Sequence, residues 1–182
     1  MNVFILCTGR CGSTTIIKAC QHISNFSSAH ESRAHLLGDD RFNYPPNHIE
    51  ADNRLSWLLG RLGRRYGKDA VYVHLKRNLR DTADSFVNGA GAGIFKAYKG
   101  SGIIMGSRKG IAPMAIALDY CDTVTSNIEM YLQDKPNKLE FNLEKAKQDF
   151  PTFCELIGAE ANMGKALAEF DVRYNTSKRI RA

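Results

Sequence analysis

Long hydrophobic runs are missing from this sequence of 182 residues. A helix that crosses a membrane needs about 20 consecutive, mostly apolar residues, and no stretch of the chain approaches that length. The segment after Met1, NVFILC, also lacks the basic residues and the extended apolar region of a secretory signal peptide. We therefore expect a cytoplasmic protein without an integral membrane segment.

Paired cysteine motifs and histidine clusters are missing as well. Metal sites built from cysteine need paired spacings such as C-x-x-C, which does not occur in this sequence. Disulfides are rare in a reducing compartment, and the number of cysteines is odd. We therefore expect five free thiols and no metal. The five are Cys7, Cys11, Cys20, Cys121 and Cys154.

Basic segments interleaved with aromatic residues, as in an RNA-recognition sheet, are absent too, so we expect no nucleic-acid partner. The chain does carry a formal charge of +6, from 25 basic and 19 acidic residues, and much of it lies in GRLGRRYGK and SKRIR. This charge suits an anionic ligand, although a solvated basic face is the commoner explanation of such runs.

Strand-like and helix-like patterns alternate along the chain. The short runs NVFILC, AVYVHLKR and KLEFNLE predict strands. The segment of residues 31–48 shows little periodicity, and seven glycines between 89 and 110 predict a mobile loop. Helical spacing predicts helices over residues 14–26, 52–67, 78–87 and 113–133, and over DFPTFCELIG.

This alternation predicts an α/β fold of three layers, in which a parallel central sheet is flanked by helices on both faces. A chain of 182 residues with 43% hydrophobic residues is long enough for one well-buried core and too short for two. We therefore predict a single domain over residues 1–182.

The segment CTGRCGSTT, residues 7–15, joins the first predicted strand to the first predicted helix. In such units the loop amides and the helix N-terminus bind anions. Gly9 and Gly12 let the backbone approach a ligand closely, and Arg10 adds a positive charge. Three hydroxyl donors follow: Ser13, Thr14 and Thr15. The glycines alone would also fit an ordinary turn with a Ser/Thr helix cap.

Two common classes of phosphate loop match this segment incompletely. A nucleotide-triphosphate loop, G-x-x-x-x-G-K-[ST], has a lysine where Ser13 stands. Its class also places a metal-binding Asp at a neighbouring strand end, where this chain has Lys-Arg. A cysteine phosphatase needs an arginine six residues after its nucleophile, and neither Cys7 nor Cys11 has one. Both cysteines are then most simply small buried residues.

FILCTGRCGSTTI resembles the 5′-phosphosulfate loop of the sulfotransferases that use 3′-phosphoadenosine 5′-phosphosulfate (PAPS), which commonly reads R-S-G-[ST]-T after a first strand. VYVHLKRNLRDTADSF is similar to that family's second signature, with Arg77 at a strand end and Ser85 eight residues later. Asn78-Leu79 stands where the family usually has Asp-Pro. NKLEFNLEKAKQDFPTFCELIGAE resembles the family's C-terminal third more loosely.

The resemblance implies a P-loop-like sulfotransferase fold, PAPS as sulfuryl donor, adenosine 3′,5′-bisphosphate (PAP) as product, and no metal. A sulfuryl group carries less negative charge than a terminal phosphoryl group, so amides, hydroxyls and one cation can stabilise its transfer. Arg77 and Ser85 would bind the 3′-phosphate. The 5′-phosphosulfate would be bound by Gly9, Arg10, Cys11, Gly12, Ser13, Thr14 and Thr15, with Arg10 also acting in catalysis.

Direct transfer also requires a base that takes the proton of the acceptor hydroxyl. The segment SSAHESRAH offers Glu31, His30 and His35. Its E-S-R resembles the E-T-R of tyrosylprotein sulfotransferases, in which the Glu is the base, so the resemblance implies Glu31 as base and places Arg33 near the donor or acceptor. His30 is the second candidate, because other branches of the family use histidine. A polar loop without a catalytic member stays open.

The acceptor is expected to carry a hydroxyl or amine and to be a small molecule, a glycan or a peptide. We expect it to lie against residues 35–50 and 89–110. Two other functions stay open: an ATP-dependent small-molecule kinase, and a non-catalytic nucleotide-binding or anion-binding protein. The sequence does not decide whether the chain forms a homodimer.

Overall fold

The computed structural model describes residues 1–89, 93–104 and 110–174. Its centre is a five-stranded sheet in which every strand pair is parallel, in the order β2-β3-β1-β4-β5. The strands are β1 Val3–Leu6, β2 Ser27–His30, β3 His48–Ala51, β4 Val71–Lys76 and β5 Lys138–Asn142. The predicted fold class is confirmed.

Helices follow most strands and carry the chain back to the side of the sheet at which the strands begin. They are α1 Ser13–Cys20, α2 Leu59–Tyr66, α3 Leu79–Asn88, α4 Ile94–Ala97, α5 Pro113–Leu132, α6 Ala146–Ile157 and α7 Met163–Ala168. Short 3₁₀ turns cover Gly38–Phe42, Asn53–Trp57, Leu143–Lys145 and Glu169–Asp171. None of the helices in these ranges is long and apolar enough to cross a membrane.

Strand β1 lies at the centre of the sheet and is buried on both faces, as a parallel strand covered by helices must be. Val3 and Ile5 join a core that includes residues of α1, α6 and α7. Phe4 and Leu6 join a second core, on the opposite face, that includes residues of α2, α3 and α5. Tyr120 of α5 is among the largest fully buried side chains. Because β1 packs into both cores, the start of the connection between β1 and α1 is held in place.

Strands β2 and β3 lie in a part of the chain where the sequence predicted no strand. Strand β2 is SSAH, which has little apolar character and forms an edge of the sheet. Strand β3 is HIEA, in which His48 and Glu50 are buried and hydrogen-bonded to each other at 3.0 Å. The predicted helix over residues 14–26 is wrong beyond Cys20, because Ile23 forms a backbone bridge to Ala161 instead.

The glycine-rich stretch of residues 89–110 is helical over much of its described part. After α4 a short π-helical turn covers Tyr98–Gly102. Phe95 and Tyr98 are buried against Tyr120, with ring centroids 5.4 and 5.2 Å away. Residues 90–92 and 105–109, and the SKRIR segment near the C-terminus, lie outside the described residues. The mobility of this stretch stays a prediction.

Candidate anion-binding site

The loop between β1 and α1 contains three residues in the left-handed region of backbone conformation. Gly9 has φ 83°, Arg10 has φ 58° and Gly12 has φ 91°. The loop leads directly into α1, whose N-terminal cap is Gly12. A left-handed loop followed by a helix N-terminus is the backbone arrangement that binds phosphate and related anions. The sequence prediction for this segment therefore agrees with its local geometry.

Contacts from distant parts of the chain hold the loop in this conformation. The Tyr120 hydroxyl donates a hydrogen bond of 2.7 Å to the Thr8 carbonyl. The Ser56 hydroxyl donates to the Cys7 carbonyl at 3.1 Å and accepts from the Cys7 amide at 3.2 Å. A Cβ atom on Gly12 would lie 2.5 Å from Leu143 Cδ1, which is too close for any real contact. The loop is therefore packed as well as hydrogen-bonded.

Arg10 joins the loop to the second predicted anion-binding signature. Its Nε donates to the Ser85 hydroxyl at 3.0 Å. Its carbonyl oxygen accepts a hydrogen bond of 3.0 Å from Nη1 of Arg77. Two segments separated by about seventy residues in the sequence thus meet at one residue. The structure brings together Arg10, Arg77 and Ser85, and their roles in binding a donor stay predictions.

The departure from the usual Asp-Pro after Arg77 leaves the helix start intact. The Asn78 side chain accepts a hydrogen bond of 3.1 Å from the Asp81 amide, and thereby caps α3. The Asn78 amide itself donates to Glu144 Oε1 at 2.8 Å. Asparagine is among the preferred N-cap residues, so the substitution keeps α3 in place behind Arg77.

The candidate bases lie at the carboxyl end of β2, where His30 is the last residue of the strand and Glu31 follows it. His30 Nε2 lies 2.9 Å from the Ser13 hydroxyl, so His30 contacts the loop directly. Glu31 has φ 50°, an uncommon conformation for a residue other than glycine. Its carboxylate accepts a hydrogen bond of 2.6 Å from Nη1 of Arg54, and both side chains are about one-third exposed or less. The carboxylate is thus fixed by a cation and still reaches solvent.

Buried carboxylates hold the segment that carries Glu31. Glu50 is fully buried and accepts hydrogen bonds of 2.7 Å from both the amide and the hydroxyl of Ser32. Asp52, also fully buried, accepts from the Arg54 amide at 2.8 Å and pairs with Arg41. No sequence pattern predicted these supporting residues. One feature of the sequence could have indicated a role for Arg54: it lies off the apolar stripe of the helix predicted over residues 52–67.

Other predicted residues occupy different surroundings. Arg33 donates to the Asp40 carbonyl at 2.9 Å and lies over the ring of Tyr44, so its contacts are with the segment after β2 rather than with the loop. His35 is exposed. Thr15 is buried in the first turn of α1. In the described part of the chain neither Arg33 nor His35 forms a side-chain hydrogen bond or ion pair with the loop; the place of Arg33 near the donor or acceptor, and His35 as a candidate base, stay predictions.

The cysteines of the loop are buried thiols, and all five cysteines of the chain are free. Cys7 and Cys11 are within hydrogen-bonding distance of each other. This hydrogen bond and complete burial raise the pKa of the Cys7 thiol, and the same hydrogen bond lowers the pKa of the Cys11 thiol. A nucleophilic cysteine needs an accessible thiol as well as a lowered pKa, and both of these thiols are buried. Over residues 1–89, 93–104 and 110–174 there is also no group of three or more His, Cys, Asp or Glu side chains that could hold a metal ion.

Fold and site together define an α/β protein with a candidate anion-binding loop at the carboxyl ends of the strands of a parallel sheet. No protein-family model and no curated protein sequence matches the chain. Solved structures do match. The sulfotransferase domain from the curacin biosynthetic pathway has a TM-score of 0.66 at 14% identity, over 94% of this chain and 78% of that one. Mouse sulfotransferase SULT7A1 complexed with PAP has a TM-score of 0.61 at 16% identity.

The match to the mouse protein covers 93% of this chain and 64% of that chain. This chain therefore spans less than two thirds of the length of the mouse sulfotransferase. At these identities the similarity establishes the fold, which is that of sulfotransferases.

Proposed function

We propose that this protein is a sulfotransferase that moves a sulfuryl group from PAPS to a hydroxyl or amine acceptor. The observation that carries the proposal is the meeting of the loop with Arg77 and Ser85 at Arg10. A donor with a 5′-phosphosulfate and a 3′-phosphate presents two anionic groups on one ribose. The loop and the Arg77–Ser85 pair are two adjacent sets of cationic and hydroxyl groups that could each bind one of them. The fold, shared with sulfotransferases, supports the same function.

The two anionic groups of the donor would be bound by different elements. The amides of residues 9–15 and the hydroxyls of Ser13 and Thr14 would hold the 5′-phosphosulfate at the start of α1. The guanidinium of Arg77 can form two parallel hydrogen bonds to the 3′-phosphate, with Ser85 adding a hydroxyl. PAP is the ligand named with the mouse structure, and it carries both the 5′-phosphate and the 3′-phosphate.

Arg10 and the loop amides would stabilise the charge that develops as the sulfuryl group is transferred. Donors that are already oriented before the reaction lower the barrier because they need no rearrangement. The Arg10 guanidinium is oriented by its hydrogen bond to the Ser85 hydroxyl, and the Arg10 backbone is held by the hydrogen bond that its carbonyl accepts from Arg77. The acceptor oxygen attacks the sulfur, the bond from sulfur to the bridging oxygen of the donor breaks, and PAP leaves.

Glu31 is the proposed base, and it would take the proton of the acceptor hydroxyl during this attack. Its left-handed backbone costs of order 1 kcal/mol, and such strain is concentrated at functional sites. Arg54 fixes the direction of its carboxylate. His30 is the second candidate because of its contact with Ser13. Either residue would act at the carboxyl ends of the strands, where the loop also lies.

Thermal unfolding with ligands tests the donor. We expect PAP to raise the melting temperature of the purified protein by several degrees at concentrations well above its dissociation constant, since a ligand that binds only the folded state stabilises it. ATP with Mg²⁺ should produce no comparable shift. The reverse result would identify a kinase and would contradict the proposal.

Substitution of the candidate bases tests the mechanism. In a transfer assay from PAPS to a panel of phenols, sugars and tyrosine peptides, Glu31→Gln should lower kcat by on the order of 100-fold or more. PAP binding should stay unchanged. Arg54→Met should lower kcat less, and the double variant should be no slower than Glu31→Gln alone, because Arg54 acts through that carboxylate.

The matched control for this assay is Glu155→Gln, which removes an exposed carboxylate of α6. It should retain full activity. Retained activity in Glu31→Gln together with lost activity in His30→Gln would assign the base to His30 instead.

A further inference from the structure

A charged cleft of about 490 Å³ lies between the 3₁₀ turn Gly38–Phe42 and helix α2. The function proposed above does not use it. Its lining residues are Asp39, Asp40, Phe42, Asn43, Arg61, Arg64 and Arg65. One wall thus carries two carboxylates and the other carries three guanidinium groups.

The three arginines keep their charges available to a ligand. Arg61 is half-buried, donates to the Gly38 carbonyl at 2.7 Å and lies 4.7 Å from the ring centroid of Phe42. Arg64 and Arg65 are exposed. In the part of the chain that the structure describes, none of the three forms an ion pair with a carboxylate. Guanidinium groups bind carboxylates and sulfates through paired hydrogen bonds.

The opposite wall restricts which anions fit. Asp39 and Asp40 are exposed and accept hydrogen bonds but donate none while ionised. A ligand that fills the cleft must therefore present hydrogen-bond donors to this wall and an anionic group to the arginines, and the hydroxyl groups of a sugar are such donors. A chain of carboxylates, as in an acidic peptide, would meet like charges at Asp39 and Asp40. An acidic or sulfated sugar carries both kinds of group on one ring.

Each wall of the cleft is connected along the chain to one member of the Glu31–Arg54 ion pair. From Glu31 the chain runs through Arg33, which bonds the Asp40 carbonyl, to the acidic wall. From Arg54 it runs through the end of its 3₁₀ turn into α2 and the basic wall. At 1.5 Å of rise per residue, α2 places Arg65 roughly 9 Å along the helix from Leu59.

We propose that this cleft binds an acidic or sulfated sugar unit of a glycan acceptor, whose neighbouring unit presents its hydroxyl to Glu31. The role as an acceptor site rests on the sulfotransferase function proposed above. The binding of the sugar unit rests on the cleft alone.

Calorimetric titration of the full chain tests the site with three probes. These are a sulfated chondroitin disaccharide, the uncharged disaccharide lactose, and a tetraglutamate peptide. We expect saturable binding of the chondroitin disaccharide, and at least tenfold weaker or undetectable binding of the other two. Binding of tetraglutamate as tight as that of the disaccharide would overturn the assignment to a sugar.

Three double variants test where the disaccharide binds and what determines its selectivity. Arg64→Gln/Arg65→Gln, at exposed positions, should weaken the disaccharide at least tenfold. Lys147→Gln/Lys165→Gln removes the same charge from α6 and α7, on the opposite face of the sheet, and should change the affinity less than twofold. Asp39→Asn/Asp40→Asn should reduce the preference for the disaccharide over tetraglutamate. An equal loss in the lysine variant would show nonspecific charge attraction and would contradict the proposal.

PAP stabilisation of the same variants separates the two proposals. It should be unchanged in Arg64→Gln/Arg65→Gln, because these arginines are not among the proposed donor ligands. If PAP stabilises the protein and the disaccharide fails to bind, the cleft proposal alone is wrong. If the disaccharide binds through the arginines and PAP has no effect, the sulfotransferase function is wrong and the cleft remains a sugar-binding site.

Discussion

Gly12→Ala is expected to lower the melting temperature by about 10 °C and to abolish PAP binding. The left-handed conformation of Gly12 costs an alanine about 1–2 kcal/mol, and the new Cβ would overlap Leu143 Cδ1. Overpacking of this kind costs a further ~1–3 kcal/mol. In a chain of this size each 1 kcal/mol corresponds to roughly 2–4 °C. Calorimetric melting with and without PAP measures both effects.

Gly60→Ala is the matched control for this substitution. Gly60 lies in α2 with open space where a Cβ would be added. Alanine should be neutral or should stabilise that helix by roughly 0.5–1 kcal/mol. Adding Leu143→Ala to Gly12→Ala should restore the part of the stability that is lost through overlap with Leu143. The part that is lost through the left-handed backbone should remain. Full PAP binding by Gly12→Ala would contradict the assignment of this loop.

Arg77→Met is expected to weaken PAP binding by roughly 100-fold, since hydrogen bonds to charged groups contribute about 1.5–3 kcal/mol each. Two interactions are lost together: the proposed bond to the 3′-phosphate and the observed bond to the Arg10 carbonyl. Arg77→Lys should recover only part of the affinity, because an ammonium lacks the fork of a guanidinium. Isothermal titration with PAP gives these dissociation constants.

The control for net charge is Arg80→Met, which removes an exposed cation one turn away on α3. It should change the affinity less than threefold. If Arg80→Met and Arg77→Met weaken PAP equally, overall charge rather than a defined site explains the binding. If Arg77→Met binds PAP normally, Arg77 is not a ligand of the 3′-phosphate.

The elements that the sequence predicted well are those in which the apolar pattern is complete. Strand β4 and helix α5 follow their predicted ranges closely, because one is a continuous buried run and the other keeps a helical stripe over five turns. The meeting of Arg10 with Ser85 and Arg77 was also predictable, from two motifs at two strand ends. The roles of these residues in binding stay predictions.

The elements that the sequence missed are those whose stability depends on buried polar groups. Strand β3 carries His48 and Glu50. From the sequence alone, these polar residue types predict surface positions. The pair of Arg41 and Asp52 is likewise buried in both members. Such groups are stable inside a protein only when each is paired. Glu50 also accepts hydrogen bonds from Ser32, and Arg41 reaches Asp52 from another segment, so these partners are brought together by the fold and are not contained in a local sequence pattern.

The clamping of the loop by Tyr120 and Leu143 also determines when the site can form. Residues 1–89 contain every proposed ligand of the donor, yet the contacts that hold Thr8 and Gly12 come from beyond position 119. During synthesis the loop therefore emerges long before its supports. A nascent chain that ends before α5 has all the chemical groups of the site without the contacts from Tyr120 and Leu143. Completion of the anion site is thus coupled to the folding of the whole domain, through contacts of high sequence separation.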